Sequence, residues 1–250
     1  MKGLSPLMIA LTLLPALATD VSAQARGGRG ATASPRTEAP IDLTGQWVAI
    51  ISEDWRWRMI TPAKGDIVSI PLNLRGQLAS EAWDPARDEA AGESCKAYGA
   101  PGLMRGPIRM RISWQDDTTL RLETDYGRQT RLFRFGNATA AGPRSWQGHT
   151  TAEWSVRGGD RGATRFGSLK TVTTHLRPGY LRKNGVPYSE RARFTEYWDV
   201  HELPTGDRYL VNTNLVQDPV YLQAEFQTAI HYKLERDTSK WDPAPCDARF

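Results

Sequence analysis

The sequence predicts an all-β protein whose main domain is a closed, antiparallel up-and-down barrel. Apolar and polar residues alternate through many short runs after position 108, which is typical of strands with one dry face and one wet face. Short turns rich in glycine, proline and aspartate join these runs, and no long helical pattern separates them. About nine or ten such strands usually close into a barrel, because closure removes the open edges. A two-sheet β-sandwich is the alternative.

Residues 1–25 have the pattern of a secretory signal peptide. A basic start and an apolar run, Leu4–Ala18, precede the small-residue cleavage sequence Ala23-Gln24-Ala25. A retained N-terminal anchor is the alternative. Residues 26–40 are rich in small residues and proline, which predicts a flexible tail, and residues 41–250 then form a single barrel domain. We therefore expect a periplasmic or secreted protein with no stable membrane span in its mature chain.

Charge and cysteine content limit the partners and cofactors. The formal net charge is +4, and arginines of the tail contribute to it, which argues against a nucleic-acid partner. Cys95 and Cys246 are the only cysteines. In an oxidising compartment they are expected to form one disulfide, with two free thiols as the alternative. No zinc-ligand spacing and no nucleotide-binding motif occurs, so no metal and no cofactor is predicted. The oligomeric state stays open.

The first structured stretch, Leu43–Met59, is predicted to be a strand. Apolar residues occupy both of its faces, which indicates burial on both sides. Trp55 and Trp57 would share one face at strand spacing. They could form a rim on which a sugar or an aromatic ligand stacks, or a cross-strand ladder in which arginine lies over tryptophan.

The stretch from residue 67 to residue 107 carries weaker signals. Ile67–Pro71 resembles a short strand, and Asn73–Trp83 is predicted to be one short helix because its leucines recur at a spacing of four. Asp88–Pro107 has no periodic pattern. A loop of this length is either a functional lid or a plug held by Cys95.

The main strands follow in chain order. They are predicted at Ile108–Trp114, Leu120–Thr124, Gln129–Phe135, Trp146–Val156, Phe166–Arg177, Arg191–Glu202, Tyr209–Val216 and Tyr221–Leu234. The excursion Pro178–Ser189 contains Tyr180, Arg182 and Lys183, and Arg177 precedes it. This excursion could close the barrel mouth and hold an anionic group, or it could be a solvated hairpin.

Three short strings resemble the sequence motifs of the lipocalins. Gly45-Gln46-Trp47 is similar to the Gly-x-Trp that opens the lipocalin barrel, and Thr124-Asp125-Tyr126 resembles the second motif of that family. Lys233 or Arg236 could take the place of the arginine that packs on the opening tryptophan. The resemblance implies a lipocalin-like, calycin-type barrel with a cup for a small apolar ligand. The second string lies earlier along this chain than the family pattern places it, and this chain is longer than a typical lipocalin.

The most informative polar residue is Glu196. Strand alternation places it on the apolar face between Phe194 and Trp198, where desolvation would favour the neutral acid that a general acid or base requires. His175 and Tyr197 are the candidate catalytic partners. The alternative is that Glu196 forms a structural ion pair with an arginine.

The same alternation predicts the lining of a barrel cavity. Asn212 and Asn214 share a face with apolar neighbours, and Thr174 and Thr228 are placed on inner faces of their strands. A mostly apolar cup with a few convergent polar groups is the expected form of a ligand site. The candidate ligand-binding residues are Trp55, Trp57, Trp154, Arg177, Tyr180, Trp198, Asn212 and Asn214.

Three functions are compatible with these features. The first is a secreted or periplasmic binding protein for a small hydrophobic or amphipathic molecule held in the barrel. The second is a cofactor-independent enzyme, an isomerase, cyclase or hydrolase, with Glu196 as acid or base. The third is a carbohydrate- or envelope-binding module that uses Trp55 and Trp57. Whether the protein is an enzyme depends on Glu196.

Overall fold

The computed structural model describes residues 33–136, 141–158 and 165–249. The predicted signal peptide, residues 1–25, lies outside the described residues. Residues 33–40, which the sequence assigns to the tail, contain a turn against one end of the barrel. There the indole nitrogen of Trp154 donates a hydrogen bond to the carbonyl oxygen of Pro35, at 2.8 Å. The domain boundaries themselves stay predictions.

Nine strands form a closed barrel, and two further strands form a separate hairpin. The barrel strands are β1 Gly45–Ile50, β2 Arg109–Asp116, β3 Thr119–Thr124, β4 Thr130–Phe135, β5 His149–Gly158, β6 Arg165–Thr174, β9 Arg193–Glu202, β10 Arg208–Gln217 and β11 Phe226–Leu234. The hairpin consists of β7 Gly179–Arg182 and β8 Val186–Tyr188. The predicted closed β-barrel is therefore confirmed.

Strand order in the barrel follows the chain with one interruption. The hairpin β7–β8 is inserted between β6 and β9, and β1 closes the ring by pairing with both β11 and β2. β4 and β5 pair in parallel, with Phe133 opposite Thr150. β5 therefore starts at the same end of the barrel as β4, whereas consecutive strands of an up-and-down barrel start at opposite ends.

A helical segment lies between β1 and β2 and closes one end of the barrel. It contains α1 Trp55–Arg58, α2 Leu74–Glu81, α3 Pro85–Ala90 and α4 Ala100–Leu103, with a 3₁₀ turn at Lys96–Tyr98. We call residues 51–107 the plug. The phenol of Tyr232, inside the barrel, donates a hydrogen bond to the carbonyl oxygen of Met104 at 3.0 Å, and both residues are fully buried. Asp88–Pro107 therefore lies where a plug would lie, which is one of the two roles predicted for this stretch.

Two predicted elements of this region are wrong. The strand expected over Leu43–Met59 ends at Ile50, because Asp54 adopts a left-handed backbone conformation (φ 52°) and the helix α1 follows it. Ile67–Pro71 forms turns rather than a strand. The predicted short helix is confirmed as α2, whose N-cap Asn73 accepts a hydrogen bond from the backbone of Gly76.

The C-terminal segment returns along the outside of the barrel to the plug. The guanidinium group of Arg111 lies 4.2 Å from the ring centre of Trp241, and the amide of Ala244 donates to the carbonyl oxygen of Asp125. Cys246 then forms the predicted disulfide with Cys95 in the plug. In the described part of the chain, every helix is too short or too polar to cross a lipid bilayer.

The inner faces of the barrel follow the predicted alternation in β9 and β10. β6 is an exception, because Thr171 and Thr173 face inward where Thr174 was expected. His175 has a left-handed backbone (φ 55°), which shifts the alternation and buries Leu176 in the core.

The cation over the ring of Trp47 also differs from expectation. Arg208 lies there, 5.6 Å from the ring centre, instead of Lys233 or Arg236.

Candidate functional site

The centre of the barrel holds a buried ion pair between Arg131 and Glu196. The two guanidinium nitrogens donate to the two carboxylate oxygens at 2.9 and 2.5 Å, and neither side chain is exposed. The hydroxyl of Thr171 donates to the same carboxylate at 3.1 Å. Rings of Phe133 and Phe194 flank the guanidinium group, at 5.0 and 5.5 Å. Both carboxylate oxygens of Glu196 therefore accept hydrogen bonds from the protein, as expected if Glu196 forms a structural ion pair with an arginine.

The structure does not bring the other two candidate catalytic residues to Glu196. Tyr197 follows it on the strand and therefore points to the outer face, where it is exposed. His175 lies beyond the end of β6, exposed, with its ring nitrogen Nδ1 3.0 Å from the hydroxyl of Thr174. The side chains of the three residues therefore do not meet.

Two buried amides lie beside the ion pair. Asn214 is directly opposite Glu196 on β9 and Thr228 on β11, and Asn212 is opposite Trp198. Both asparagines face inward and are buried, and neither amide has a hydrogen-bond partner among the described residues. Trp198 packs on Phe133 with ring centres 5.5 Å apart. The predicted inner positions of Asn212, Asn214 and Trp198 are correct, and their role in binding stays a prediction.

The remaining candidates lie apart from one another. Trp154 packs against Trp114 and Phe135 at the end of the barrel opposite the plug. Arg177 stacks on Trp146 and bonds to Glu93 at 3.0 Å. The phenol of Tyr180 donates to Asp88 at 2.6 Å. Each of these side chains has a packing partner of its own, so together they do not line one cavity.

Strand spacing predicted that Trp55 and Trp57 share a face, but the structure shows that they do not. Residues two apart point to nearly opposite sides of a helix, and both lie in α1. Trp55 is 63% exposed. Trp57 turns into the protein, where its indole nitrogen donates to Asp66 at 2.9 Å.

A small cleft between the plug and the β7–β8 hairpin collects four basic side chains. We call it the plug cleft. It encloses about 20 Å³ and is lined by Trp57, Arg58, Ala97, Gly102, Arg105, Gly106, Tyr126, Leu181, Arg182 and Lys183. Glu196, Asn212 and Asn214 are not among the residues that line it.

Backbone carbonyl groups hold Arg58 and Arg182 of the plug cleft in place, whereas Arg105 donates to the carboxylate of Asp54. Arg58 donates to the carbonyl oxygen of Arg105 at 2.9 Å, and Arg182 donates to the carbonyl oxygens of Asp66 and Val68 at 3.0 and 2.9 Å. All three guanidinium groups are buried. The Nη2 atom of Arg58 and the Nε atom of Arg182 find no acceptor among the described residues.

Carboxylates near the plug cleft only partly balance this charge. Glu53 lies 3.3 Å from Arg58 and also contacts His231, and Asp54 lies 3.0 Å from Arg105. Asp66 is 4.0 Å from Arg182, and it already accepts hydrogen bonds from Trp57 and Arg56. The plug cleft therefore keeps an excess of positive charge.

Burial disfavours the charged form of each of these groups. It lowers the pKa of Arg58 and of Arg105, and that of Arg182 to about 10, where the nearby charge of Arg105 adds to the effect. Burial also lowers the pKa of the Lys183 ammonium group to about 8. This ammonium group lies 4.7 Å from the ring centre of Tyr126. A bound anion would reverse these shifts, because it favours the charged forms.

Sequence reasoning missed Arg58, Arg105 and Arg131. A signal for Arg131 was present, because it alternates with Phe133 and Phe135 and so falls on the inner face of its strand. Arg58 and Arg105 lie in the plug, whose short helices lack a strong periodic pattern that could reveal which residues converge.

No protein-family model, curated protein or solved structure matches the chain.

Proposed function

We propose that the protein is a periplasmic or secreted binding protein for a small amphipathic anion, with the acidic group of the ligand held in the plug cleft. One observation carries this proposal. Three buried guanidinium groups and the ammonium group of Lys183 line one cleft, and Arg58 and Arg182 keep donors without an acceptor among the described residues. An unpaired buried donor on a charged group is costly, so a ligand oxygen is the natural partner.

The size of the plug cleft indicates which part of the ligand it takes. About 20 Å³ is room for little more than one water-sized group, which suits a carboxylate or one face of a phosphate. The planar guanidinium group of arginine can donate two parallel hydrogen bonds to a carboxylate or to a phosphate. The apolar part of the ligand would then lie outside, against Trp57 and its surroundings.

This proposal keeps a small amphipathic molecule as the ligand, as the sequence predicts. It places the binding site in the plug cleft instead of the barrel interior. The resemblance to lipocalins implies a ligand inside the barrel, and the closed barrel with Trp47 in its first strand agrees with that resemblance. Nine strands and a parallel β4–β5 pair depart from the eight-stranded up-and-down lipocalin barrel. The Arg131–Glu196 pair occupies the centre where such a ligand would lie.

The two alternative functions have less support. An enzyme that uses Glu196 would need this carboxylate to exchange a proton with a substrate, yet Arg131 and Thr171 already bind both of its oxygens. A carbohydrate module would need Trp55 and Trp57 on one platform, and α1 turns them apart.

The test is a calorimetric titration at pH 7 with phosphate, with octanoate and with the neutral analogue octanol. We expect octanoate to bind more tightly than phosphate and octanol not to bind. Lys183→Met should weaken octanoate binding about tenfold, because one charge-assisted contact is lost. Lys64→Met is the matched control, since it removes the same charge from an exposed lysine of the plug. Equal binding of octanol and octanoate, or equal loss in both variants, would contradict the proposal.

A further inference from the structure

Exposed apolar side chains are concentrated in one part of the plug. Ten large hydrophobic residues of the described chain are exposed, and six of them lie between residues 55 and 78, namely Trp55, Met59, Ile60, Val68, Leu74 and Leu78. Trp55 and Met59 lie one helical turn apart, as do Leu74 and Leu78. Single exposed apolar residues need no explanation, whereas six of them within one segment of the plug make that segment a candidate for interaction.

Basic residues accompany these apolar side chains. Residues 55–78 contain four basic residues and one acidic residue. Arg56, Lys64 and Arg75 are exposed, whereas the acidic residue, Asp66, is half-buried and bonded to Trp57. Tryptophan and long apolar side chains beside arginine and lysine are the composition of segments that lie in the interface of an anionic membrane.

The position of the plug cleft fits the same partner. Trp57 and Arg58, which line the cleft, belong to the same short helix as the exposed Trp55. A lipid presents a phosphate next to its acyl chains, so it matches a cationic cleft bordered by apolar side chains. A second copy of this chain or an apolar protein surface would not explain the buried, unpaired guanidinium donors.

We propose that residues 55–78 dock on the surface of an anionic membrane, with a lipid phosphate group in the plug cleft and the six exposed side chains inserted among the acyl chains. This inference rests on the proposed function, since it identifies the amphipathic anion as a phospholipid. It adds a membrane surface as the place where the protein binds its ligand.

The test is co-flotation of the purified protein with vesicles of phosphatidylcholine, with or without about one-third phosphatidylglycerol. We expect flotation with the anionic vesicles only, and weaker flotation as salt screens the charges. Trp55→Ser/Met59→Ser should reduce flotation about tenfold, because two side chains no longer leave water. Val156→Ser/Phe166→Ser is the matched control, because both residues are exposed apolar strand residues outside the plug.

The outcomes separate this inference from the proposed function. If Trp55→Ser/Met59→Ser loses flotation and keeps octanoate binding, both proposals stand. If the unmodified protein binds octanoate but never floats, the membrane inference is wrong and the binding function survives. Equal flotation with neutral and anionic vesicles overturns the role of the plug cleft in docking. Loss of self-association in the Trp55→Ser/Met59→Ser variant, without vesicle binding in the parent, would identify a second copy as the partner.

Discussion

Buried arginines occur in two regions of this molecule, and their partners differ. Arg131 in the barrel centre faces a carboxylate that is buried with it and that accepts two of its hydrogen bonds. In the plug cleft, Arg58 and Arg182 are bonded mainly to backbone carbonyl oxygens, and each keeps a donor without an acceptor among the described residues. Arg131 also has an Nε atom without an acceptor among the described residues, but Glu196 neutralises the charge of its guanidinium group.

This difference in partners distinguishes an arginine that has a structural role from arginines whose charge can bind a ligand. A guanidinium group with its own buried counter-ion gains little from an added anion. Carbonyl dipoles hold Arg58 and Arg182 in place without neutralising them. Their carboxylates, Glu53 and Asp66, are shared with His231 and Arg56, so part of the positive field extends into the cleft. Burial alone therefore does not identify a functional arginine, and the nature of its acceptors does.

The largest expected effect is on stability, in the barrel centre. Arg131→Met leaves the carboxylate of Glu196 buried and unpaired, which should lower the free energy of unfolding by about 3–5 kcal/mol. Urea denaturation measures this change. Arg131→Met/Glu196→Leu should recover most of the loss, because it removes both charges. A single variant as stable as the parent would remove the structural role given to this pair.

A smaller loss of stability is expected for the plug cleft. Arg182→Met leaves the carbonyl group of Val68 without its donor and removes one of the two donors to the carbonyl group of Asp66, which should cost about 1–3 kcal/mol. Unlike Arg131→Met/Glu196→Leu, it should also abolish octanoate binding. Calorimetry on both folded variants checks this contrast. Octanoate binding that survives Arg182→Met and is lost in the barrel variant would reverse the assignment of the two regions.

The pH dependence of binding should report on Lys183. Its pKa is lowered to about 8 by burial, so the unliganded side chain loses its proton as the pH rises through that value. Octanoate affinity should therefore be constant between about pH 6 and pH 7, where octanoate is ionised, and fall above about pH 8, by at most about tenfold. The Lys183→Met variant should show no such fall. An identical pH profile in the two proteins would show that another group is responsible.

The smallest effect is expected for Asn212→Leu. The amide of Asn212 is buried without a partner among the described residues, so replacing it by an apolar side chain of similar size should change stability by less than about 1 kcal/mol. Asn212→Asp is the contrasting variant, because it introduces a buried charge and should be strongly destabilising. A loss of several kcal/mol in Asn212→Leu would indicate that the amide holds a bound molecule in the parent protein.

Alternation predicted the barrel well, because the side-chain period of a strand is a local property. It placed Glu196, Asn212 and Asn214 on inner faces correctly. It failed at Thr174, where one left-handed residue, His175, changes the phase beyond the strand. The plug cleft was only partly predictable. Arg182 and Lys183 were expected to hold an anion, but their meeting with Arg58 and Arg105 depends on how four short helices pack, and such packing leaves no period in the sequence.

The position of β1 has a consequence for how the molecule folds. β1 pairs with β2 and β11, and Trp47 lies opposite Leu234, so the ring closes only when the last strand has formed. Such long-range pairing makes folding slow, on the order of milliseconds to seconds. The Cys95–Cys246 bond shortens the chain path between β1 and β11 to about a third, which lowers the entropic cost of closure by about 1 kcal/mol. The oxidised chain should therefore close its barrel faster than the reduced chain.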